Sequence, residues 1–227
     1  DDIAAALGSE ILSGKRKPRD RMPSDDEMFE TYGVSRVVTR EVVKTLMAKG
    51  LVVTRMGVGT IVQDPAYWNW FDADLLNWRV RLGLDAEFLV HLTQLRRIVE
   101  PAAASLAARA RSREDLANLR DLIRAMENAV DNHRTFIEAD LHFHLAISAA
   151  SGNPFFRSFA GVIATALFGL LSMNSYAGRR TLAIAAAQHA TIVDAIEARD
   201  GDAAADAMLR TIGAGHAHAK EARRGRT

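Results

Sequence analysis

Hydrophobic residues recur along most of this chain at spacings of three and four, the mark of helices that bury one face. Ile3, Leu7 and Ile11 predict a first helix over residues 1–13, entered without a methionine at Asp1, so a few native residues are expected to precede it. A Gly/Lys/Arg/Pro-rich connection follows over 14–23. Ser24 then reads as the N-cap of a helix whose early acids, Asp25, Asp26 and Glu27, suit the positive helix end. That helix ends near Tyr32-Gly33, and Ser35 caps another in which Val38, Val42 and Leu46 recur at i, i+4 and i+8. Gly50 takes its C′ position. The pattern then changes to two β-rich runs, 52–55 and 60–62, on either side of Met56-Gly57-Val58-Gly59, which predicts a hairpin.

Residues 63–69, with Pro65, read as a linker, and helical spacing returns beyond it. Helices are expected at about 72–82, 86–110, 113–130, 134–150, 154–174, 181–199 and 202–221. Ser112 with Asp115 resembles a capping box, Asn153-Pro154 offers an N-cap with proline at the first helical position, and 199–202 reads as a tight turn. The fold class is therefore mainly α. A winged helix-turn-helix with a two-stranded wing is expected over 1–64, and an all-α antiparallel bundle over 65–227.

Three of the bundle's apolar stripes are broken by polar residues. They read Leu89, Leu92, Arg96, Val99, Ala103, Leu106; then Ile137, Asp140, His144, Ile147; then Leu182, Ala185, His189, Ile192, Ile196. Their spacing keeps each set on one helix face, so Arg96, Asp140, His144 and His189 point inward. Burying charge costs several kcal/mol unless it is paired or ligated, and the pattern predicts a polar pocket inside the bundle. Arg96 suits a carboxylate, which its planar fork grips with two hydrogen bonds. Arg97, His142 and His216 fall off the stripes and read as surface residues; His218 lies on the last stripe, two turns beyond Thr211.

Charge changes the reading of the first region more than that of the whole. The net charge is only +1, yet between Ser35 and Val62 the bases Arg36, Arg40, Lys44, Lys49 and Arg55 face the single acid Glu41. Lys15, Arg16, Lys17, Arg19 and Arg21 lie just upstream. Arg36, Thr39, Arg40 and Lys44 are read as one face of the second helix, opposite Val38, Val42 and Leu46. Basic patches on a helix–turn–helix–wing neutralise phosphates, while the start of the second helix reaches base edges. There is no cysteine, hence no disulfide and no thiolate metal site. No apolar run approaches the roughly 18 residues that span a bilayer, and no signal peptide is visible. A cytoplasmic location is expected.

The segments Pro23-Ser24-Asp25, Tyr32-Gly33-Val34-Ser35-Arg36, Arg40-Glu41, Gly50-Leu51-Val52 and Arg55-Met56-Gly57-Val58-Gly59-Thr60 resemble the DNA-binding domain of GntR-type repressors. The resemblance implies Ser35, Arg36, Thr39 and Arg40 as recognition-helix contacts, joined by Lys44 and Arg55, with Gly57 at the wing tip in the minor groove. Asp26 departs from it, standing where many relatives carry a DNA-contacting arginine. Leu95-Arg96-Arg97-Ile98-Val99-Glu100-Pro101, Asp140-x-x-x-His144, Ser151-Gly152-Asn153-Pro154 and Gln188-His189 resemble the helical FCD ligand-binding domain of the FadR-type branch. There the family implies a divalent metal held by an aspartate and three histidines, with a carboxylate effector above it. Asp140, His144 and His189 match three ligands, for zinc, nickel or a similar ion, and Thr211 stands where the fourth is expected. A three-ligand site and a metal-free pocket in which these residues hydrogen-bond the effector both remain open. The run 68–78, Val99-Glu100-Pro101 and the missing histidine are similar to repressors of the D-galactonate-responsive type, which implies a sugar acid. Asn174, Ser175 and Tyr176 are candidate donors to its hydroxyls.

The expected function is thus a metabolite-responsive transcriptional repressor that binds a double-stranded, palindromic operator as a homodimer and releases it when a small carboxylate binds. The competing class is a metal-dependent hydrolase fused to a DNA-binding module, since three ligands with an open position suit catalytic metals. No nucleophile or general-base motif accompanies those ligands.

Overall fold

The computed structural model describes residues 2–173 and 178–224, with side chains over 2–169 and 178–214. Asn174, Ser175 and Tyr176 lie outside the described residues, as do the side chains of His216 and His218. The chain forms two compact units, Asp1–Gly83 and Leu84–Thr227. The first continues past the division expected after residue 64, for a reason visible in its packing.

In the first unit, α1 (Asp2–Leu12) leads through the basic connection to α2 (Asp25–Tyr32). The sequence signals at α2 are made as bonds: Ser24 accepts from the Glu27 amide while Glu27 accepts from the Ser24 amide. Gly33, at φ +66°, turns the chain into α3 (Arg36–Ala48), capped by Ser35. The wing is β1 (Val52–Arg55) antiparallel to β2 (Gly59–Val62), paired Val52 with Val62 and Arg55 with Gly59. Residues 19–22 run alongside β2, bonded through Arg19 N to Val62 O and Met22 N to Thr60 O, an edge that the periodicity does not reveal.

After a 3-10 turn (Pro65–Tyr67) comes α4 (Ala73–Leu82), capped by Asp72. Its Leu75 and Trp78 join Leu7, Ile11, Met28, Leu46 and Leu51 in one core, each such side chain contributing about 1.5–3 kcal/mol by leaving water. The ring of Trp78 lies on Gly8: a Cβ there would sit 2.3 Å from Trp78 Cζ3. At Gly50, φ is +73° and a Cβ would meet the Tyr67 carbonyl oxygen at 2.2 Å, so glycine lets the segment after the wing return across the end of α3. Asn69 N donates to Lys49 O there. Residues 63–83 are therefore built into this unit rather than linking out of it.

The second unit comprises α5 (Ala86–Ala110), α6 (Arg113–Asn128), α7 (His133–Ala150), α8 (Pro154–Arg157), α9 (Ala160–Met173), α10 (Arg179–Glu197) and α11 (Gly201–Arg224). The helix expected over 154–174 is broken, because i→i+3 bonds from Ser158 N to Phe155 O and Phe159 N to Phe156 O tighten the chain between α8 and α9. The core runs from Ala103, Ala104, Ala107 and Ala108 through Phe143 and Ile147 to Ile192, Ile196 and Met208. Along α5, Leu89, Leu92, Arg96 and Ala103 are buried as the stripe predicts, but Leu106 is exposed and Glu100 is buried. Alternating steps of three and four advance by 3.5 residues per turn, so such a stripe drifts off a straight helix's buried face. No helix among the described residues is long and apolar enough to cross a membrane.

Candidate functional sites

In the first unit, α3 and the wing hold the predicted DNA contacts. Ser35, Arg36, Arg40, Lys44, Arg55 and Gly57 are all exposed. The Ser35 hydroxyl accepts from the Val38 amide, and Gly57 occupies the turn closed by Val58 N to Arg55 O at φ +73°. Arg40 and Lys44, with Arg16 and Arg21 from the connection and Thr54 and Thr60 from the wing, line an open groove of about 840 Å³. Lys44 pairs with Glu41 at 2.6 Å. Arg36 stands 3.8 Å from Asp25 Oδ2 and 3.7 Å from Asp26 Oδ1, so the acids at the start of α2 reach the recognition arginine.

Two expectations are corrected here. Thr39 is 3% exposed and its hydroxyl donates to Ser35 O, whereas Val38 is 42% exposed. The buried face of α3 is Thr39, Val42 and Leu46, at the helical steps of three and four that the Val38–Val42–Leu46 series lacks. Thr39 packs inward with its hydroxyl proton committed to Ser35 O, though it still lines the floor of the groove beside Arg40 and Lys44. Lys49 is not part of the basic surface either. It is buried, its ammonium 2.7 Å from both Asp72 Oδ1 and Asp74 Oδ2 and over the Trp78 ring at 5.3 Å. Burial alone would lower its pKa; the two carboxylates raise it instead.

In the second unit, α5 brings Arg96 and Glu100, α7 brings Asp140 and His144, and α10 brings His189 to one buried cluster. Arg96 Nε donates to Glu100 Oε1, and Arg96 Nη2 reaches Glu100 Oε2 and His144 Nε2, both at 3.4 Å. Glu100 Oε2 lies 2.5 Å from His144 Nδ1. Asp140 Oδ1 lies 2.8 Å from His189 Nε2 and 3.2 Å from His144 Nε2. Phe143, fully buried, meets both imidazoles edge-on, with centroids 5.8 Å from His144 and 5.2 Å from His189.

The electrostatics follow from this packing. Burial would raise the Glu100 pKa, but the charges of Arg96 and His144 hold it down at about 2. Asp140, likewise penalised by burial, is held far below the usual carboxylate range by His189 and His144. His144, which burial would neutralise, is pushed up to about 9 by Glu100 and Asp140. Glu100 is the member that the stripe reading missed. The signal was its i+4 spacing from Arg96, which places an acid directly beside a buried guanidinium.

The side chains fit a divalent metal. Asp140, His144 and His189 each place one ligand atom within 4.8 Å of the others. Asp140 Oδ1 is wholly buried between two imidazole nitrogens and receives no hydrogen bond. His189 Nδ1 lies 2.7 Å from Ala185 O, which fixes the proton on Nδ1 and leaves Nε2 as a ligand. The Glu100 carboxylate lies against His144 Nδ1 at 2.5 Å, without a hydrogen bond. Such outer partners orient metal-binding histidines, and two imidazoles with one carboxylate suit zinc and its neighbours. Thr211 is buried, but its hydroxyl donates to Ala207 O of its own helix, and it is not a member of the ligand group.

Residues 1–62 match the model of bacterial regulatory proteins of the gntR family, and residues 91–214 match the FCD domain. The chain is 35% identical over 214 residues to the uncharacterized HTH-type transcriptional regulator YieP of Escherichia coli (strain K12), covering 92% of this chain and 91% of that protein. It is 29% identical to the galactonate operon transcriptional repressor of the same strain, covering 97% and 96%. Among solved structures it resembles Streptococcus agalactiae GntR, with a TM-score of 0.54 and 26% identity over 95% of this chain and 98% of that one.

Proposed function

We propose, from the premise that this chain belongs to the gntR family of bacterial regulatory proteins and carries an FCD domain, that it is a repressor released from its operator by a small carboxylate. Members of this family are transcriptional regulators, and the hydrolase alternative is set aside on that membership. The observation that carries the effector reading is the buried convergence of Arg96, Glu100, Asp140, His144 and His189 in a unit separate from the basic helix-turn-helix. Asp140, His144 and His189 would hold a divalent ion, whose positive charge attracts an anionic effector. Arg96 is half-committed to Glu100, so the protein's own charges nearly cancel in the cluster. A bound metal would make the site net positive, and metal and carboxylate should therefore bind cooperatively.

Likeness to the galactonate operon repressor favours a sugar acid of the aldonate type. Ser35, Arg36, Arg40, Lys44, Arg55 and Gly57 are the proposed DNA contacts of each protomer of a homodimer acting on a palindromic operator in the cytoplasm. Effector binding shifts the arrangement of the two DNA-binding units by the difference in its affinity for each arrangement. Within the first unit, Lys49 ties the end of α3 to the start of α4, so a displacement of α4 is passed to the recognition helix.

A second reading keeps the effector but dispenses with the metal. Arg96, bonded to Glu100, can serve as the cation for the effector carboxylate. One experiment addresses both readings: thermal unfolding of the full chain across a panel of sugar acids, after chelation and after zinc addition, alongside release of a selected DNA duplex. A ligand at a hundred times its Kd should add about 2.7 kcal/mol, only with zinc on the first reading and in both conditions on the second. If no carboxylate shifts unfolding or releases DNA in either condition, the effector reading fails.

A further inference from the structure

Three apolar side chains of α3 are exposed, Val38 and Met47 at 42% each and Val37 much further. Val37 is 70% exposed. It stands at i, i+3, i+4 and i+7 with Arg40, Glu41 and Lys44, all exposed, and so shares the basic face. The buried residues Thr39, Val42 and Leu46 occupy the opposite side. Val37 therefore belongs to the surface that faces a partner, in the first turn of the helix and next to Arg36.

A lone exposed valine is ordinary on most surfaces. Here its setting narrows what it can meet. The cations around it attract phosphate, and a first-turn residue of a recognition helix reaches base edges in the major groove. Valine can neither donate nor accept a hydrogen bond, so it cannot read the polar atoms of guanine, cytosine or adenine. The apolar group displayed in that groove is the C5-methyl of thymine. We infer that Val37 packs against a thymine methyl at one position of each operator half-site and makes that position specific for thymine. This rests on the DNA-binding reading above and adds a base identity to it.

The test uses the full chain and a duplex enriched on it from a random-sequence pool. Each thymine is replaced in turn by uracil, which removes only the methyl, and affinity is read by fluorescence anisotropy. The wild type should lose about three- to tenfold at one symmetry-related pair of thymines, the scale of one buried methyl. Val37→Ala, with an unchanged melting temperature, should bind the thymine duplex more weakly by a similar factor and no longer distinguish thymine from uracil there. The inference is overturned if the wild type tolerates every uracil, or if the sensitivity survives in Val37→Ala. If no duplex is enriched at all, the DNA-binding reading itself falls and takes this inference with it; enrichment with indifference to uracil sinks only the role of Val37.

Discussion

Arg96 and Glu100 are both buried, one helical turn apart, and bonded to each other. Removing Glu100 strands the Arg96 charge out of water, which costs about 3–5 kcal/mol, and removing Arg96 leaves Glu100 only His144 as a partner, whereas replacing both with apolar residues of similar size is often neutral. Arg96→Ala should therefore lose stability on that scale in urea unfolding, and Arg96→Met with Glu100→Met should recover most of it. An additive double variant would contradict the pairing. For the same reason alanine is a poor probe of effector recognition at this position. Arg96→Lys keeps a cation beside Glu100 but loses the two-pronged fork. It should bind the selected duplex as the wild type does, yet need at least tenfold more effector for release, as measured by anisotropy titration.

Helix α4 packs on residues distant in sequence, Leu7 and Ile11 of α1 among them. Gly8→Ala tests this: its new Cβ would collide with the Trp78 ring, which is buried and cannot move aside. The variant should lose about 1–3 kcal/mol and show altered tryptophan fluorescence, and an unchanged melting curve would detach α4 from α1. Lys49→Met, which leaves half-buried Asp72 without its cation while Asp74 stays in water, should lower stability by about 1 kcal/mol and leave the salt dependence of DNA binding unchanged, because Lys49 does not face DNA. Separation along the chain also explains what the sequence made legible. Ser24, Ser35, Ser112 and Asn153 announce their caps within three residues, so most helix boundaries were readable. Arg96, Asp140, His144 and His189 were readable because each interrupts an apolar stripe. The partners of Lys49 lie 23 and 25 residues away, beyond any periodicity. The phase of α3 was misread because Val38 looks like core and Thr39 does not, whereas packing put the threonine hydroxyl on a backbone carbonyl. Glu100 lies one turn from Arg96, but the apolar stripe runs through its neighbour Val99 and masks it.

At the scale of the whole molecule, the proton and the metal compete for the same histidine. Without metal, the folded protein raises the His144 pKa from 6.5 to about 9. Its stabilising charge is fully present below pH 6.5 and is lost as pH rises through 9. Glu100 runs the other way: its pKa falls from 4.5 to about 2, so its contribution is present above pH 4.5 and is lost as pH drops towards 2. The chelated protein should then be most stable between about pH 4.5 and 6.5, with its melting temperature falling on both sides. Ligation needs neutral His144, so a metal that binds there must displace its proton, and binding strengthens with pH until the histidine is already neutral. The difference in melting temperature between zinc-loaded and chelated protein should widen steadily from pH 6 to 9, while His144→Gln should abolish both the widening and the loss of chelated stability above pH 6.5. A gap that stays flat across this range in the wild type would mean that the metal does not use His144.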